Sequence, residues 1–283
     1  MVDQGWLRGF DMKTFYVIVL SISLSLVFSV EGFGGTIRSA ITTGYTIDQK
    51  GRIDIDAEVL NTGDEIAHNV VATIFIADWV GKVDDLGNNP PGGKIRFRSR
   101  IPDAALKPGN YIGVTRIFFE ERNGLSHRAY HFFEISHAPD RAIKTDQRLS
   151  LQTKAPLFNK KAFWQSSGKL RITFRNGFQD PITPVVSLYL PDHFRSTKPH
   201  GKYRITPAEE RSEFIPILSD SPPLGNRPYH LVVWYEHEGV HYSHHLKGSI
   251  RVEEKAVYFR WYVLLGLISV IVFLGITLSG SRQ

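Results

Sequence analysis

Between Arg52 and Leu60 the chain alternates with period two: Ile53, Ile55, Ala57 and Val59 fall on one side of an extended backbone, and Asp54, Asp56 and Glu58 on the other. Successive side chains of a strand point to opposite faces, so this stretch reads as a β-strand with one face on a core and one in water. The pattern then returns. GRIDIDAEVLNTGDEIAHNVVATIFIAD, starting at Gly51, is matched by GKLRITFRNGFQDPITPVVSLYLPD, starting at Gly168, with a two-residue gap before an Asn-containing turn. Gly51 aligns with Gly168, Ile53 with Leu170, Ile55 with Ile172 and Ala57 with Phe174; beyond the gap Asn61 aligns with Asn176, and Val70-Val71 with Val185-Val186. The later halves correspond too: PGNYIGVTRIFFEERNG is echoed by LGNRPYHLVVWYEHEG, and alternating segments follow at Leu125 to Ile135 and Val240 to Ile250. Turns rich in Asn, Gly and Asp separate the runs, and no stretch between them keeps a 3.6-residue period. The expectation is an all-β, duplicated chain, with sandwiches at residues 35–138 and 149–253 and a short, semi-flexible linker at 139–148.

Two apolar segments bracket this region. Thr14 to Val30 carries no charge, follows Arg8 and Lys13, and precedes Glu31 and Gly32. That is the order of a basic region and an apolar region in a signal peptide or an N-terminal anchor, assigned to residues 1–32. Its length, about 17 residues, suits either. Trp261 to Ser279 is also uncharged, and at about 19 residues is long enough to span a hydrocarbon core. With Tyr258, Trp261 and Tyr262 gathered at one end as interfacial aromatics, residues 258–279 read as a transmembrane helix and 280–283 as a cytoplasmic tail. Either fate of the first segment exports Gly32 to Lys255, which places the main domains in the periplasm or on the cell surface. Lys255 and Arg260 on the exported side, against Arg282 alone beyond the helix, run counter to the positive-inside bias.

The 283 residues are enough for two cores besides the membrane segments. There is no cysteine, so neither a disulfide framework nor a thiolate site exists. The net charge of +6 is spread among acidic residues, with no basic patch to suggest a nucleic-acid partner. The string AEVLNTGDEIAHNVVATIFI and the later LKPGNY resemble the CARDB and NEW3 group of extracellular immunoglobulin-like domains of bacterial and archaeal surface proteins. In the first repeat the likeness falls on Asn61, Thr62, Gly63, Asp64, Asn69, Pro108 and Gly109; the second keeps Asn176, Gly177 and Asp180 without the Thr-Gly-Asp spacing. The resemblance implies two tandem immunoglobulin-like β-sandwich domains used as adhesion, spacer or interaction modules. On this reading the protein is a membrane-anchored structural protein, an accessory part of a membrane assembly that works through a protein partner or by self-association, with no cofactor and no catalytic residues.

Four features carry alternatives. Of the 11 histidines, His230, His237, His241, His244 and His245 crowd into the last strands. His241, Ser243 and His245 share a face, so two imidazoles with a third from His237 or His230 would make a metal-handling site; solvent-facing and hairpin histidines are the commoner origin of such a run. His127 and His131 share a face in the first repeat. The acidic face Asp54, Asp56 and Glu58 would suit calcium, or would complement the aligned Arg171, Thr173 and Arg175 of the second repeat. Trp79, Trp164 and Trp234 would serve a carbohydrate-binding module if they met on one exposed face. The stretch from Val80 to Lys94 reads as a long polar contact loop. Glu120-Glu121 and Glu209-Glu210 are adjacent and face opposite ways, and no hydrolase, Walker or dinucleotide motif occurs.

Overall fold

The computed structural model describes residues 36–47, 52–83, 85–101, 106–137, 148–160, 167–220, 222–254 and 265–270. The expected signal or anchor segment at 1–32, the linker residues 139–147 and most of the expected transmembrane helix at 258–279 lie outside them. Residues 265–270 are helical and exposed, and no helix among the described residues is long and apolar enough to cross a membrane.

The described chain is almost entirely β. The first sandwich runs β1 (Ser39–Ile47), β2 (Ile53–Asn61), β3 (His68–Ile76), β4 (Trp79–Val83), β5 (Lys94–Ile101), β6 (Gly109–Glu120) and β7 (Ser126–His137). The second runs β8 (Leu149–Lys154), β9 (Leu157–Asn159), β10 (Ser167–Asn176), β11 (Val185–Tyr189), β12 (Phe194–Arg195), β13 (His200–Lys202), β14 (Glu210–Ser219), β15 (Gly225–His237) and β16 (Val240–Glu253). In the first, β1-β2-β5 faces β4-β3-β6-β7; in the second, β8-β10-β14-β12 faces β13-β11-β15-β16. This is an immunoglobulin-like topology made twice, with β2, β3, β5, β6 and β7 answered by β10, β11, β14, β15 and β16. The chain changes sheets at Ala155-Pro156, where β8 leaves β10 and β9 joins the end of β16 in parallel. Proline lacks a ladder donor and suits such a break.

Each sandwich has its own core. Ile53, Ile55, Val59, Ile74, Ile101, Tyr111 and Ile117 fill the first; Leu170, Ile172, Phe174, Ile215, Ile217, Leu231, Val233 and Tyr235 fill the second. A side chain of this size taken wholly out of water contributes roughly 1.5 to 3 kcal/mol before chain entropy is subtracted. Both strands read from the alternation, β2 and β10, therefore lie at the centre of their three- and four-stranded sheets, their apolar sides inward.

The same buried asparagine ends each of these strands. Asn61 Nδ2 donates to the carbonyl oxygens of Glu65 (2.7 Å) and Asn89 (2.9 Å), and its Oδ1 accepts from the Gly63 N–H (3.0 Å). Asn176 Nδ2 donates to the carbonyls of Asp180 (3.0 Å) and Ile205 (3.2 Å), and its Oδ1 accepts from the Phe178 N–H (2.9 Å). Both side chains are buried, and both hold the turn after their strand against a distant loop that would otherwise leave backbone carbonyls unsatisfied. That is a physical reason for the repeat's alignment at this position.

The two sandwiches belong to one compact unit, Ile37–Gln283, and are not independently solvated. The outer faces of their four-stranded sheets pack on each other. Tyr189 at the end of β11 stands among Phe75, Tyr130 and Phe132 of the first sandwich, its ring centroid 6.2, 5.5 and 5.6 Å from theirs in edge-on geometry. Ile112, Val114 and Val232 complete a third apolar cluster. At one margin His241 N–H donates to the Pro108 carbonyl (2.9 Å), and a single parallel bridge, His241 to Gly109, joins both four-stranded layers into a nine-stranded sheet. At the other, Asp192 of the second sandwich accepts from the Arg128 backbone (3.1 Å) and meets the His127 ring (2.9 Å).

Candidate functional site

The joint between the sandwiches gathers most of the chemistry the sequence left scattered. β3 and β4 are linked by the two-residue turn Ala77-Asp78, in which Ala77 adopts φ 48°, a left-handed conformation uncommon for a residue with a side chain. The turn brings Asp78 and Trp79 beside Tyr111 from β6 and beside Trp234, Glu236 and His241 from the hairpin β15–β16. These six line a cavity of about 270 Å³. His241 is fully buried and stacks on Tyr111 (centroids 3.8 Å apart, planes 10° apart) and on Trp234 (5.3 Å, 27°). Its Nε2 lies 2.8 Å from Ser243 Oγ. Burial, with the nearby Lys107 ammonium, pushes the His241 pKa down to about 3, so the ring is neutral at ordinary pH. Tyr111 donates its hydroxyl to the Lys107 carbonyl (2.6 Å), and burial pushes its pKa up. Lys107 forms an ion pair with Glu236. Asp78 is exposed at the cavity mouth and pairs with none of the described residues.

Gly109 makes this joint possible. Its φ is 154°, and a Cβ there would lie 2.1 Å from the His241 carbonyl oxygen, so only glycine lets β6 approach β16. The Pro108-Gly109 turn singled out by the resemblance is thus the seam between the sandwiches.

The histidines of the last strands separate. Only His230 and His245 meet: His230 Nδ1 is 2.9 Å from His245 Nε2, and both rings stack on Phe132 of the first sandwich at 4.3 Å. Burial, then the neighbouring His245 and Lys247, holds His230 down to about 4, and burial lowers His245 as well. His241 lies in the cavity, His237 packs on Phe178 (4.3 Å), and His244 stacks on Tyr235 (5.9 Å). Among the described residues no cluster of three or more His, Asp or Glu could hold a metal ion. In the first sandwich His131 turns inward to Thr43 Oγ1 (3.1 Å), while His127 lies between Asp192 and Glu121 (2.8 Å to the latter). The two share a face of β7, as expected, but reach different partners along it.

The acidic face of β2 is occupied by its own neighbour. Register places Asp54, Asp56 and Glu58 opposite Arg100, Arg98 and Arg96 of β5. The guanidinium Nε atoms lie 2.6, 2.6 and 2.7 Å from the carboxylates, and Lys94 reaches Glu58 at 3.4 Å. Hydrogen bonds from Arg100 and Arg96 hold Asp54 and Glu58 below the usual carboxylate range. Neither a calcium site nor complementarity to Arg171 and Arg175 describes this face; the signal that was missed is the alternation of Lys94, Arg96, Arg98 and Arg100 one strand away. The expected polar loop from Val80 to Lys94 is corrected as well. Val80 to Val83 belongs to β4, paired with β3, and the buried Asn89 bridges to Ala67, because an unpaired backbone so close to the core would lack partners.

Trp79 and Trp234, from different sandwiches, line one cavity; Trp164 lies outside the described residues. A sequence signal for the joint did exist. Tyr111 to Val114 and Leu231 to Trp234 are apolar without alternation, which marks strands covered on both faces.

No family model matches the chain, and no curated protein matches it. The CARDB and NEW3 resemblance therefore gains no support from a family model. Among solved structures, a red sea bream transglutaminase aligns over 83% of this chain and 34% of its own, at 13% identity and a TM-score of 0.27. The native conformation of E. coli alpha-2-macroglobulin aligns over 77% of this chain and 17% of its own, at 8% identity and 0.33. The cupredoxin domain of amoB from Nitrosocaldus yellowstonii aligns over 40% and 94%, at 12% and 0.25. The chain spans a minor part of the first two proteins, and likenesses this distant bear on neither activity nor ligand. The sandwich description rests on strand pairing alone.

Proposed function

We propose that this chain is a non-catalytic, membrane-anchored interaction protein whose two immunoglobulin-like sandwiches, held outside the cytoplasm, act as one body toward a protein partner. The observation that carries the reading is the joint around Tyr189. Packing the two four-stranded faces on each other removes independent movement of the sandwiches and leaves the three-stranded face of the first, the four-stranded β8-β10-β14-β12 face of the second, and the loops for contact. A body that holds two faces in a set relation suits a scaffold better than a flexible tether does. The CARDB and NEW3 likeness at Asn61 to Asp64 and Pro108-Gly109 supports the same class. The uncharged runs at 14–30 and 261–279 support the anchor, as do the exposed Leu265, Leu267, Ile268 and Val270.

The second sandwich offers a contact face of its own. Lys169, Arg171 and Arg175 on β10 and Lys154 on β8 stand near one acidic residue, Glu210, beside the half-exposed Phe214. Gentle solubilisation of native membranes, followed by purification of the tagged full chain, is expected to bring down a partner in fixed ratio. Loss of that partner in an Arg171→Glu, Arg175→Glu variant would assign the face. A chain released from membranes by alkaline wash, or one that purifies alone, would overturn the reading.

A further inference from the structure

The cavity at the joint has walls of two kinds. Trp79, Tyr111, Trp234 and the neutral His241, with Ile76, Ala77 and Leu106, supply apolar surface, while Asp78 and Glu236 supply carboxylate oxygens; Lys107, outside the lining, pairs with Glu236. Binding sites are commonly apolar concavities with a few placed polar groups, and at about 270 Å³ this one suits a single small ring rather than a larger ligand. The charges narrow the choice further. An anion would meet two carboxylates, and a cation would have to displace Lys107 from Glu236 or be held by the exposed Asp78 alone. A wholly apolar ligand would strip water from Asp78 and Glu236 without replacing their hydrogen bonds. A neutral ring with an apolar face and a rim of hydroxyls meets none of these penalties.

We propose that this cavity binds one neutral sugar ring, its C–H face against Trp234 and its hydroxyls donating to Asp78 and Glu236. Two further observations fit. Trp79 and Trp234 come from different sandwiches, so the cavity exists only because the joint holds them together. Ala77 keeps a left-handed φ of 48° in the turn that presents Asp78, a position where glycine would relax the backbone. The site does not depend on how, or whether, the chain is anchored.

The test is ligand-observed saturation-transfer NMR on the full-length protein in detergent micelles, with methyl glycosides of glucose, galactose, mannose and N-acetylglucosamine as probes and choline as a cationic control. Transfer to at least one glycoside is expected, strongest at the ring C–H protons. Asp78→Asn and Glu236→Gln should each weaken binding about tenfold, the effect of losing one hydrogen bond to a charged group. Both variants sit at the cavity rim and should melt with the parent protein, which separates lost binding from lost fold. Trp234→Phe should weaken transfer while keeping the ring stack on His241. Absence of transfer from every glycoside, transfer that survives both rim variants, or transfer from choline instead would each overturn the assignment.

Discussion

The two sandwiches share a topology and an interior device yet differ on their outer faces. In both, a buried asparagine closes the strand that carries the alternation, with the same pattern of carbonyl and N–H partners. Outside, the first sandwich zips Asp54, Asp56 and Glu58 to an arginine strand, while the corresponding strand of the second exposes Arg171 and Arg175 on either side of a half-buried Thr173, and its Arg171 turns to Ser212 Oγ (3.0 Å) rather than to a carboxylate. The lesson concerns constraint. An inward polar group must find all its partners in protein, so its geometry is reproduced; an outward one has water as an alternative and is free to diverge.

Breaking the shared device is expected to have the largest effect. Asn61→Ala and Asn176→Ala each strand buried carbonyl groups, and each should cost about 3 kcal/mol of unfolding free energy, read by urea denaturation. Closely matched losses would sharpen the equivalence, and a silent substitution at either site would break it. A second pair tests asymmetry. Gly109 and Gly225 both open the strand that leads into the joint, with φ of 154° and 101°, but only Gly109 faces backbone, whereas nothing lies within 4 Å of a Cβ at Gly225. Gly109→Ala should therefore destabilise by about 2 kcal/mol more than Gly225→Ala, by the same measurement, and should loosen His241 from Tyr111.

Acid distinguishes the joint from the outer faces. His230 and His245 are held below their ordinary value of 6.5, His230 at about 4, both by burial and Lys247 and His230 also by His245, with Glu134 opposing at His245. A histidine whose folded pKa is depressed binds more protons when unfolded, so its contribution to stability is whole above about pH 6.5 and drains away as pH falls toward 4. Unfolding midpoints at pH 7 and 4.5 should differ more in the parent than in a His230→Asn, His245→Gln variant. The smallest effect is expected at the charge ladder. Arg98→Ala should lower the melting temperature slightly at low salt and not at all in molar salt, since such exposed pairs are screened.

Much of this was legible in advance. Ile53 to Val59 and Leu170 to Phe174 gave both central strands, because period-two burial leaves its mark on residue type. The charge ladder was within reach too, had the Lys94 to Arg100 alternation been set against Asp54 to Glu58. The histidine grouping was not, since neighbours along β16 point to opposite faces: His245 finds His230, His244 finds Tyr235, and His241 leaves for the cavity.

By itself the sequence determined that the chain folds as two like β-sandwiches with asparagine-closed turns, for strand alternation and turn chemistry act between residues close in the chain or repeated along it. Only the tertiary structure decided that the sandwiches pack through Tyr189 into one body, that the acidic face is spent on its own sheet, and that Trp79 and Trp234 line one cavity. Those facts depend on which distant strands become neighbours, and that is settled by the packing of whole faces, which no local pattern encodes.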